Sequence, residues 1–326
     1  TGHIPSWPAD AEFAGLEGVV NGKGVLGDYA EAQGATFRWN TELVELVQDE
    51  NGAVTGAIAK GPDGYIQINA SKGVVLATGC YGCNKEMLAY YCPDLLEFPP
   101  FMIKKNGDGH KMGVWLGAKM ETLPHTKMAH IHNSIDGTNL TDSPVKSDPF
   151  LWVNQDGKRF ANEHMEYAMV CNTVREQPGD VFFVVHDANF SNQRQAFLNP
   201  RGPVKDEAVE AAIDLGYTVK ADTLEELADL LEVPKDSFLA TVDRYNELYD
   251  LQQDVDFGKE AYRLSELRNP PFYGGWYGAS ILTTLDGLRI NKHLQVLDTA
   301  EEPILGLYAI GTCSGSYYSG NYPVYL

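Results

Sequence analysis

Hydrophobic and polar residues alternate over three stretches in the first quarter of the chain. Residues 36–48 alternate around Leu43 and Val47, and residues 54–60 and 65–69 repeat the alternation after polar, glycine-containing turns. A period of two residues is typical of strands that bury one face, and short turns join strands that run antiparallel. The pattern therefore predicts a three-stranded meander.

Helical periodicity follows in other parts of the sequence. Residues 17–33 show it, and so does the stretch after the N-G-D-G sequence at residues 106–109, where Met112 and Trp115 lie on the predicted apolar face. Residues 236–251 form the clearest amphipathic repeat of the chain. Together with the strands, these segments predict a protein of mixed α and β structure.

Two apolar runs end at glycine-rich turns. Residues 73–79 and residues 304–310 are short apolar segments of the kind found in buried central strands. After the second run, Gly311, Gly315 and Gly320 are interspersed with serines. Glycine lets the backbone approach a ligand closely because it has no side chain. We therefore predict that this end of the chain contacts a large, flat ligand.

The composition is that of an ordinary globular protein, and it excludes several functions. The 326 residues suffice for two domains with separate cores. No apolar run approaches the roughly 20 residues of a membrane span. The formal net charge of −20 argues against nucleic acids and anionic membrane surfaces as partners, because both require a basic face. We interpret this charge as a determinant of solubility.

The five cysteines are too few and too scattered for a disulfide framework. Cys80 and Cys83 form a C-x-x-C motif, which needs a second pair or a helix N-terminus for metal binding or redox chemistry. No second pair accompanies it, and His110 and His125 stand alone in the sequence. We therefore predict no metal site and interpret both cysteines as small residues in tight turns.

Five segments follow one another in an order that is itself informative. They are residues 73–84, 106–109, 153–163, 241–257 and 306–312. They resemble, in turn, the patterns A-V-I-L-A-T-G-G-F-x-x-N, G-D-G, V-N-x-x-G-x-R-F-x-N-E, T-V-x-R-Y-N with a later D-x-D-F, and G-L-Y-A-A-G-E. These patterns belong to the FAD-dependent oxidoreductases of the fumarate reductase/succinate dehydrogenase flavoprotein type. The chain resembles this family over nearly its whole length.

The resemblance implies an α/β fold: a Rossmann-type FAD-binding domain with a β-meander, interrupted by an inserted α+β cap domain. The first part of the FAD-binding domain is expected at 1–134, the cap at 135–268 and the second part at 269–326. The chain begins with Thr1, lacks G-x-G-x-x-G and ends inside the last motif. We therefore expect an internal fragment, incomplete at both ends of the FAD-binding domain, without the pyrophosphate-binding turn.

The resemblance also implies FAD as the cofactor. The meander near Leu43 is expected beside the adenine, Asp108 at the flavin or its ribityl chain, and the last glycine-rich turn beside the flavin ring. Thr312 stands where the family usually has a glutamate. The expected cofactor-binding residues are Leu43, Thr78, Gly79, Asp108, Gly311, Thr312, Gly315 and Ser316.

The family's catalytic positions are changed in this sequence. Four residues after the N-E pair, the family has a proton-donating arginine, and Tyr167 stands there instead. An arginine that binds a substrate carboxylate is replaced by Tyr322, and a histidine is replaced by Thr283. The proton-relay segment, expected at residues 143–146, has lost its acid and its arginine.

These changes predict an acceptor other than fumarate. A dicarboxylate buried without cations would lose several kcal/mol of solvation per charge, and a phenol cannot replace bidentate recognition by arginine. The tyrosines favour an aromatic pocket for an activated alkene, such as an enone, a steroid-like ring or an aromatic acrylate. The expected catalytic residues are Tyr167, Tyr322 and His132, and the expected substrate contacts are His130, Thr283 and Tyr318.

Three functions remain open on the sequence alone. The leading hypothesis is a reductase that takes electrons from an external carrier, such as a cytochrome, a quinone-linked donor or a reduced flavin carrier. The same residues are compatible with dehydrogenation, as in the related ketosteroid dehydrogenases, whose catalytic groups are tyrosines. The third is a flavin-binding module with a decayed catalytic set, in which Tyr167 is a core aromatic residue. A bacterial cytoplasmic protein and an exported one are both compatible with the sequence.

Overall fold

The computed structural model divides the chain into two compact units. Unit 1 comprises Thr1–Met87, Lys105–Thr126 and Thr284–Leu326, and unit 2 comprises Leu88–Lys104 and Lys127–Thr283. Both units contain helices and strands. The residues that the structure describes are 24–100, 105–121, 127–132, 148–165, 167–197 and 206–315.

Helices and strands are interspersed through the described ranges. No helix in these ranges has the length and apolar character needed to cross a membrane. The helices are α1 (Gly24–Ala32), α2 (Lys85–Tyr91), α3 (Asp108–Trp115), α4 (Tyr167–Arg175), α5 (Phe190–Ala196), α6 (Asp206–Asp214), α7 (Leu224–Leu230) and α8 (Lys235–Leu251). The strands are β1 (Glu42–Gln48), β2 (Val54–Gly61), β3 (Gly64–Asn69), β4 (Val74–Leu76), β5 (Lys127–His132), β6 (Leu151–Val153), β7 (Val181–Asp187), β8 (Thr218–Ala221), β9 (Phe272–Thr284), β10 (Gln295–Leu297) and β11 (Pro303–Ala309).

The predicted meander is present in unit 1, where β2 pairs antiparallel with both β1 and β3. Its first strand begins at Glu42, six residues later than the alternation suggested. Phe37 and Trp39 lie before the strand, where their rings are exposed and stack on each other at a centroid distance of 5.7 Å. Their spacing therefore reflects this stacked pair and not a sheet face.

A second sheet of unit 1 brings together distant parts of the sequence. Its strand order is β10-β11-β4, and β11 runs parallel to β4 with Leu307 opposite Val74 and Ala309 opposite Leu76. Parallel strands end at the same edge of a sheet, so the loops that follow β4 and β11 become neighbours. This edge is where open α/β sheets generally bind ligands.

Helix α3 begins at Asp108, within the predicted N-G-D-G turn. Met112 is buried as predicted, but the Trp115 side chain is 68% exposed. The placement of Trp115 on the apolar face was therefore wrong. The helix ends at this residue, and the buried side chains of its earlier turn supply the packing.

Unit 2 is built on a five-stranded sheet with the order β5-β9-β7-β6, in which β8 also pairs with β9. Strands β6 and β7 pair antiparallel, with Leu151 opposite Val185 and Val153 opposite Phe183. Helix α8 buries Phe238, Val242 and Tyr245 in the main hydrophobic cluster of this unit. Helix α7 begins at a capping residue, because Thr223 Oγ1 accepts a hydrogen bond from Glu226 N at 3.1 Å.

His186 is buried on β7 among aromatic rings. It stacks on Tyr273 at 5.0 Å and contacts Phe150 and Phe190. Burial lowers the pKa of His186 to about 4, although the Asp187 carbonyl near Nδ1 and the Asp187 carboxylate act in the opposite direction. The imidazole is therefore neutral at pH 7, and protonating it must disturb the packing around it.

We expect acid to destabilise the protein through this residue. The unfolded chain binds the proton near pH 6.5, whereas folded His186 does so only near 4. Unfolding therefore becomes easier as pH falls through this window, by up to about 1.4 kcal/mol per pH unit for one such group. His186→Phe should flatten the pH dependence of urea unfolding relative to wild type, whereas a substitution of the exposed His293 should not. An unchanged slope in His186→Phe would exclude His186 as its cause.

Candidate functional site

Two loops of unit 1 meet beyond the ends of β4 and β11. The Thr78-Gly79 turn follows β4, and a 3₁₀ turn at Gly311–Cys313 follows β11. Thr78 Oγ1 donates a hydrogen bond to Cys313 Sγ at 3.4 Å. Burial raises the pKa of the Cys313 thiol, against the influence of Thr78. The two expected cofactor segments thus lie side by side, although they are far apart in sequence.

The start of α3 packs against both loops. Gly107 precedes the helix in a left-handed conformation with φ 71°, and no side chain caps the helix. A Cβ atom at Gly109 would lie 2.3 Å from Thr78 Oγ1 and 3.2 Å from Cys313 Sγ. A side chain here would displace the helix from the loops, so this approach requires glycine. Asp108, at the first position of α3, forms an ion pair of 2.8 Å with Lys111.

The backbone of the last described turn is fixed by hydrogen bonds to the segment Gly287-Leu288. Leu288 N donates to Cys313 O, and Gly315 N donates to Leu288 O, each at 2.9 Å. Glu121 N donates to Gly287 O at 2.8 Å from the other side. The turn expected to contact the cofactor is therefore hydrogen-bonded to a segment that Glu121 in turn holds by its main chain.

Three buried polar side chains adjoin these turns. The Tyr81 hydroxyl donates a hydrogen bond to the Asp286 carboxylate, and Tyr81 N donates to Thr284 Oγ1 at 3.4 Å. The edge of the Tyr81 ring meets the His110 ring at a centroid distance of 5.4 Å. Tyr81 and His110 are fully buried, and Asp286 is nearly so.

Neither ring nitrogen of His110 has a hydrogen-bond partner in the described part of the chain. Burial lowers the pKa of His110 to about 4, against Asp286, the Thr312 backbone and Asp108, which favour the protonated form. An unpaired donor is costly to bury. The neutral imidazole of His110 therefore remains able to form a hydrogen bond beside the turns that are expected to contact the cofactor.

No pattern in the sequence predicts that Tyr81, His110 and Asp286 lie together at the site. Tyr81 lies inside the T-G-C-Y segment, and His110 follows N-G-D-G directly. The signal that could have identified Asp286 is its position in T-T-L-D-G, where the family pattern V-H-H-T-M-G-G has a glycine. A carboxylate at a glycine position needs a partner, and only the fold shows that this partner is Tyr81.

The features of unit 1 fit FAD. Gly311 has φ 61°, and no atom of the described residues lies within 4 Å of its Cβ position. The α3 N-terminus offers main-chain N–H groups that no side chain caps, which suits an anionic or carbonyl oxygen. Lys105 Nζ lies 3.0 Å from the Cβ position of Gly79 and adds a positive charge. A cofactor with a polar ring edge matches this set of donors.

The other expected cofactor residues are placed as follows. Leu43 is half-buried on β1, a strand that lies against α3. Gly315 is buried next to the Gly287 backbone. Ser316 lies outside the described residues.

The expected catalytic and substrate residues fall on unit 2 and on the end of the chain. Tyr167 is the first residue of α4, and His130 and His132 belong to the extended strand β5. Thr283 is buried near the end of β9. Tyr318, Tyr322 and the relay segment 143–146 lie outside the described residues. The roles of these residues stay predictions.

Comparison with known proteins identifies similar sequences. Residues 10–324 match the family described as FAD binding domain. The chain is 30% identical over 325 residues to the NADH:acrylate oxidoreductase of Vibrio harveyi, which covers 98% of this chain and 30% of that protein. It is 29% identical over 334 residues to the vinyl phenol reductase of Lactiplantibacillus plantarum, which covers 93% of this chain and 68% of that protein. The chain thus spans less than a third of the Vibrio protein.

A solved structure shows the same fold. The open conformation of a flavocytochrome c3 fumarate reductase superposes with a TM-score of 0.67 at 30% identity, over 91% of this chain and 50% of that one. The predicted α/β fold class, with a FAD-binding fold of the fumarate reductase type, is confirmed by this similarity.

Proposed function

Because this chain belongs to the family of FAD binding domains, we propose that it is the flavin- and substrate-binding part of an oxidoreductase that reduces a carbon–carbon double bond. The observation that carries the proposal is the meeting of Thr78, Gly109 and Cys313 at the ends of β4 and β11. FAD would be held there by the Thr78-Gly79 turn, the start of α3 and the Gly311–Cys313 turn.

The chemistry divides between cofactor and protein. Reduced FAD supplies a hydride to one alkene carbon when it is bound. The protein must then deliver a proton to the other carbon, so that the C=C bond becomes a CH–CH bond with no charge left over. We assign this proton to the hydroxyl of Tyr167, at the start of α4. Solvent returns the proton to the phenolate after each turnover.

The substrate proposed is an activated alkene without two carboxylates. Tyr167, Tyr322 and Thr283 occupy the positions at which the family pattern has arginine, arginine and histidine. Without these cations, burial of two carboxylates is unfavourable, whereas aromatic rings and hydroxyls suit an enone or an aryl-substituted alkene. The name of the Lactiplantibacillus relative, vinyl phenol reductase, supports an aromatic substrate.

The electrons are proposed to come from an external carrier. The flavocytochrome c3 neighbour supports a cytochrome as one such donor, and the name of the Vibrio relative supports a route from NADH. A second protein region or a partner would connect either donor to the flavin.

The experiment uses the complete natural protein with FAD bound, under anaerobic conditions. Reoxidation of a reduced viologen dye is followed with fumarate and, separately, with enones, steroids, aryl acrylates and vinyl phenols. We expect reoxidation by one of the larger alkenes and none by fumarate. Fast reoxidation by fumarate would contradict the proposed substrate class, and silence with every alkene would favour the dehydrogenating direction or a binding module. Assays of dye reduction by saturated substrates then distinguish these two.

A further inference from the structure

A buried cluster of four charged side chains lies in unit 2. It consists of Arg159, Glu163, Asp254 and Lys259. Arg159 donates to both oxygens of Glu163, at 2.8 and 2.9 Å, and to both oxygens of Asp254, at 3.0 and 2.7 Å. The side chains of Glu163, Asp254 and Lys259 are fully buried, and that of Arg159 is 6% exposed. Two positive and two negative charges make the cluster neutral overall.

Lys259 completes the cluster with three contacts. Its Nζ lies 3.1 Å from Glu163 Oε2, and it donates to the Tyr245 hydroxyl at 2.6 Å and to the carbonyl of Pro149. An ammonium group has three N–H donors, so every donor of Lys259 is used. The Tyr245 hydroxyl lies 3.4 Å from Ser265 Oγ, which can accept a hydrogen bond from it.

Two groups of the cluster, Arg159 and Asp254, stay ionised in spite of their burial. Burial alone would raise the pKa of Asp254, but hydrogen bonds from Arg159 and from the backbone of Phe257 and Lys259 hold it well below its usual value. Burial would lower the pKa of Arg159, but Glu163 and Asp254 carry it above its usual value. Removing one partner from such a group is costly because the remaining charge stays buried and unpaired.

The cluster is joined to the start of α4 through Glu163. Glu163 Oε1 also accepts from Trp152 N on β6 at 3.4 Å, which fixes the side chain to the sheet. Glu163 lies in a turn that Asn162 closes. The Asn162 side chain accepts a hydrogen bond from His164 N at 2.8 Å, and its carbonyl accepts one from Met165 N at 3.0 Å. Helix α4 begins at Tyr167, four residues after Glu163.

We propose that Lys259 is a positioning residue of the reaction. By neutralising and orienting Glu163, it fixes the turn that precedes α4 and thereby the backbone position from which Tyr167 delivers its proton. This inference rests on the proposed function. Proton delivery is sensitive to placement, and a displacement of about 1 Å can reduce a rate a hundredfold. Apolar residues in place of the whole cluster would stabilise this core as well or better, but they would provide none of the contacts from Arg159 and Lys259 that orient Glu163.

The test compares Lys259→Met with wild type in the FAD-loaded complete protein. We expect kcat to fall roughly tenfold to a hundredfold, while KM and the FAD content stay near wild type and the solvent deuterium isotope effect on kcat increases. A role in stability alone would lower the melting temperature and the FAD content without changing the isotope effect. Arg244→Gln, which breaks the exposed ion pair with Asp256 at 2.8 Å, is the matched control and should leave kcat unchanged.

Further variants separate the two proposals. If Lys259 acts through Glu163, the double variant Lys259→Met/Glu163→Gln should be no slower than either single variant, because contacts within one network are not additive. Should Lys259→Met fail to fold, Glu163→Gln is the deciding variant. The same fall in kcat would support the positioning role, and a wild-type kcat would overturn it. A wild-type kcat in Lys259→Met, combined with a slow Tyr167→Phe, would overturn the positioning role only. A wild-type kcat in Tyr167→Phe would overturn the proposed function itself.

Discussion

Tyr167→Phe is expected to lower the turnover of the alkene substrate by about two orders of magnitude or more, because general acid catalysis contributes this much. Phenylalanine keeps the aromatic ring and removes only the hydroxyl from which the proton is donated. Tyr167 is the first residue of α4, and phenylalanine is compatible with the same helical backbone. The substitution should therefore leave the fold and the FAD content unchanged. Flavin reduction by the dye should also stay fast, because no proton from Tyr167 is needed for that half-reaction.

The measurement is the anaerobic steady-state rate with the best alkene of the panel, together with single-turnover oxidation of the reduced flavin. Tyr262→Phe is the control. This tyrosine of unit 2 is 44% exposed, and within the described residues its hydroxyl accepts a hydrogen bond from Arg263. A wild-type rate in Tyr167→Phe would remove this residue from the mechanism. The alternative in which it is a core aromatic residue would then be preferred.

Gly287→Ala should weaken the binding of FAD. A Cβ atom at this position would lie 2.4 Å from Cys313 O, 2.8 Å from Cys313 C and 2.9 Å from Gly315 N. These are main-chain atoms, so they cannot move aside as a flexible side chain would. The same backbone forms the 2.9 Å hydrogen bonds between Leu288 and the turn. Opening them displaces the turn on which the flavin is proposed to lie.

Overpacking of this kind costs roughly 1–3 kcal/mol, which corresponds to a loss of roughly 5-fold to 150-fold in cofactor affinity if the whole cost falls on binding. The measurement is the flavin content of the purified complete protein, followed by titration of the apoprotein with FAD. Gly61→Ala is the matched control in unit 1, because its Cβ would meet atoms no closer than 3.8 Å at an ordinary backbone conformation. Wild-type affinity in Gly287→Ala would show that the Cys313–Gly315 turn does not contribute to the FAD site.

Much of the local structure could be predicted because its signals are local. The meander followed from the period-two alternation, and α8 followed from an apolar repeat that buries Phe238, Val242 and Tyr245. The early start assigned to β1 and the burial assigned to Trp115 were wrong for a related reason. An apolar side chain near the end of a helix or strand fits the apolar repeat whether or not another element packs against it. The repeat alone does not show which side chains have such a neighbour.

The site was predictable only in part. The motifs led to Thr78, Asp108 and the Gly311 turn, and the structure brings these segments together at the ends of two parallel strands. The polar group beside them was missed because its members have no common motif. Tyr81 and Asp286 are 205 residues apart in the sequence, and a hydrogen bond joins them in the structure.

The sequence by itself determined the family, the α/β class and the FAD cofactor, because each is encoded in ordered motifs and in short-range patterns of apolar residues. Only the tertiary structure decided which buried charges meet. Lys259 belongs to none of the sequence motifs. It forms a fully buried ion pair with Glu163 because α8, β6 and the turn before α4 enclose both side chains. Burial removes water as a partner, so the protein itself must supply every contact, and that requirement is visible only in three dimensions.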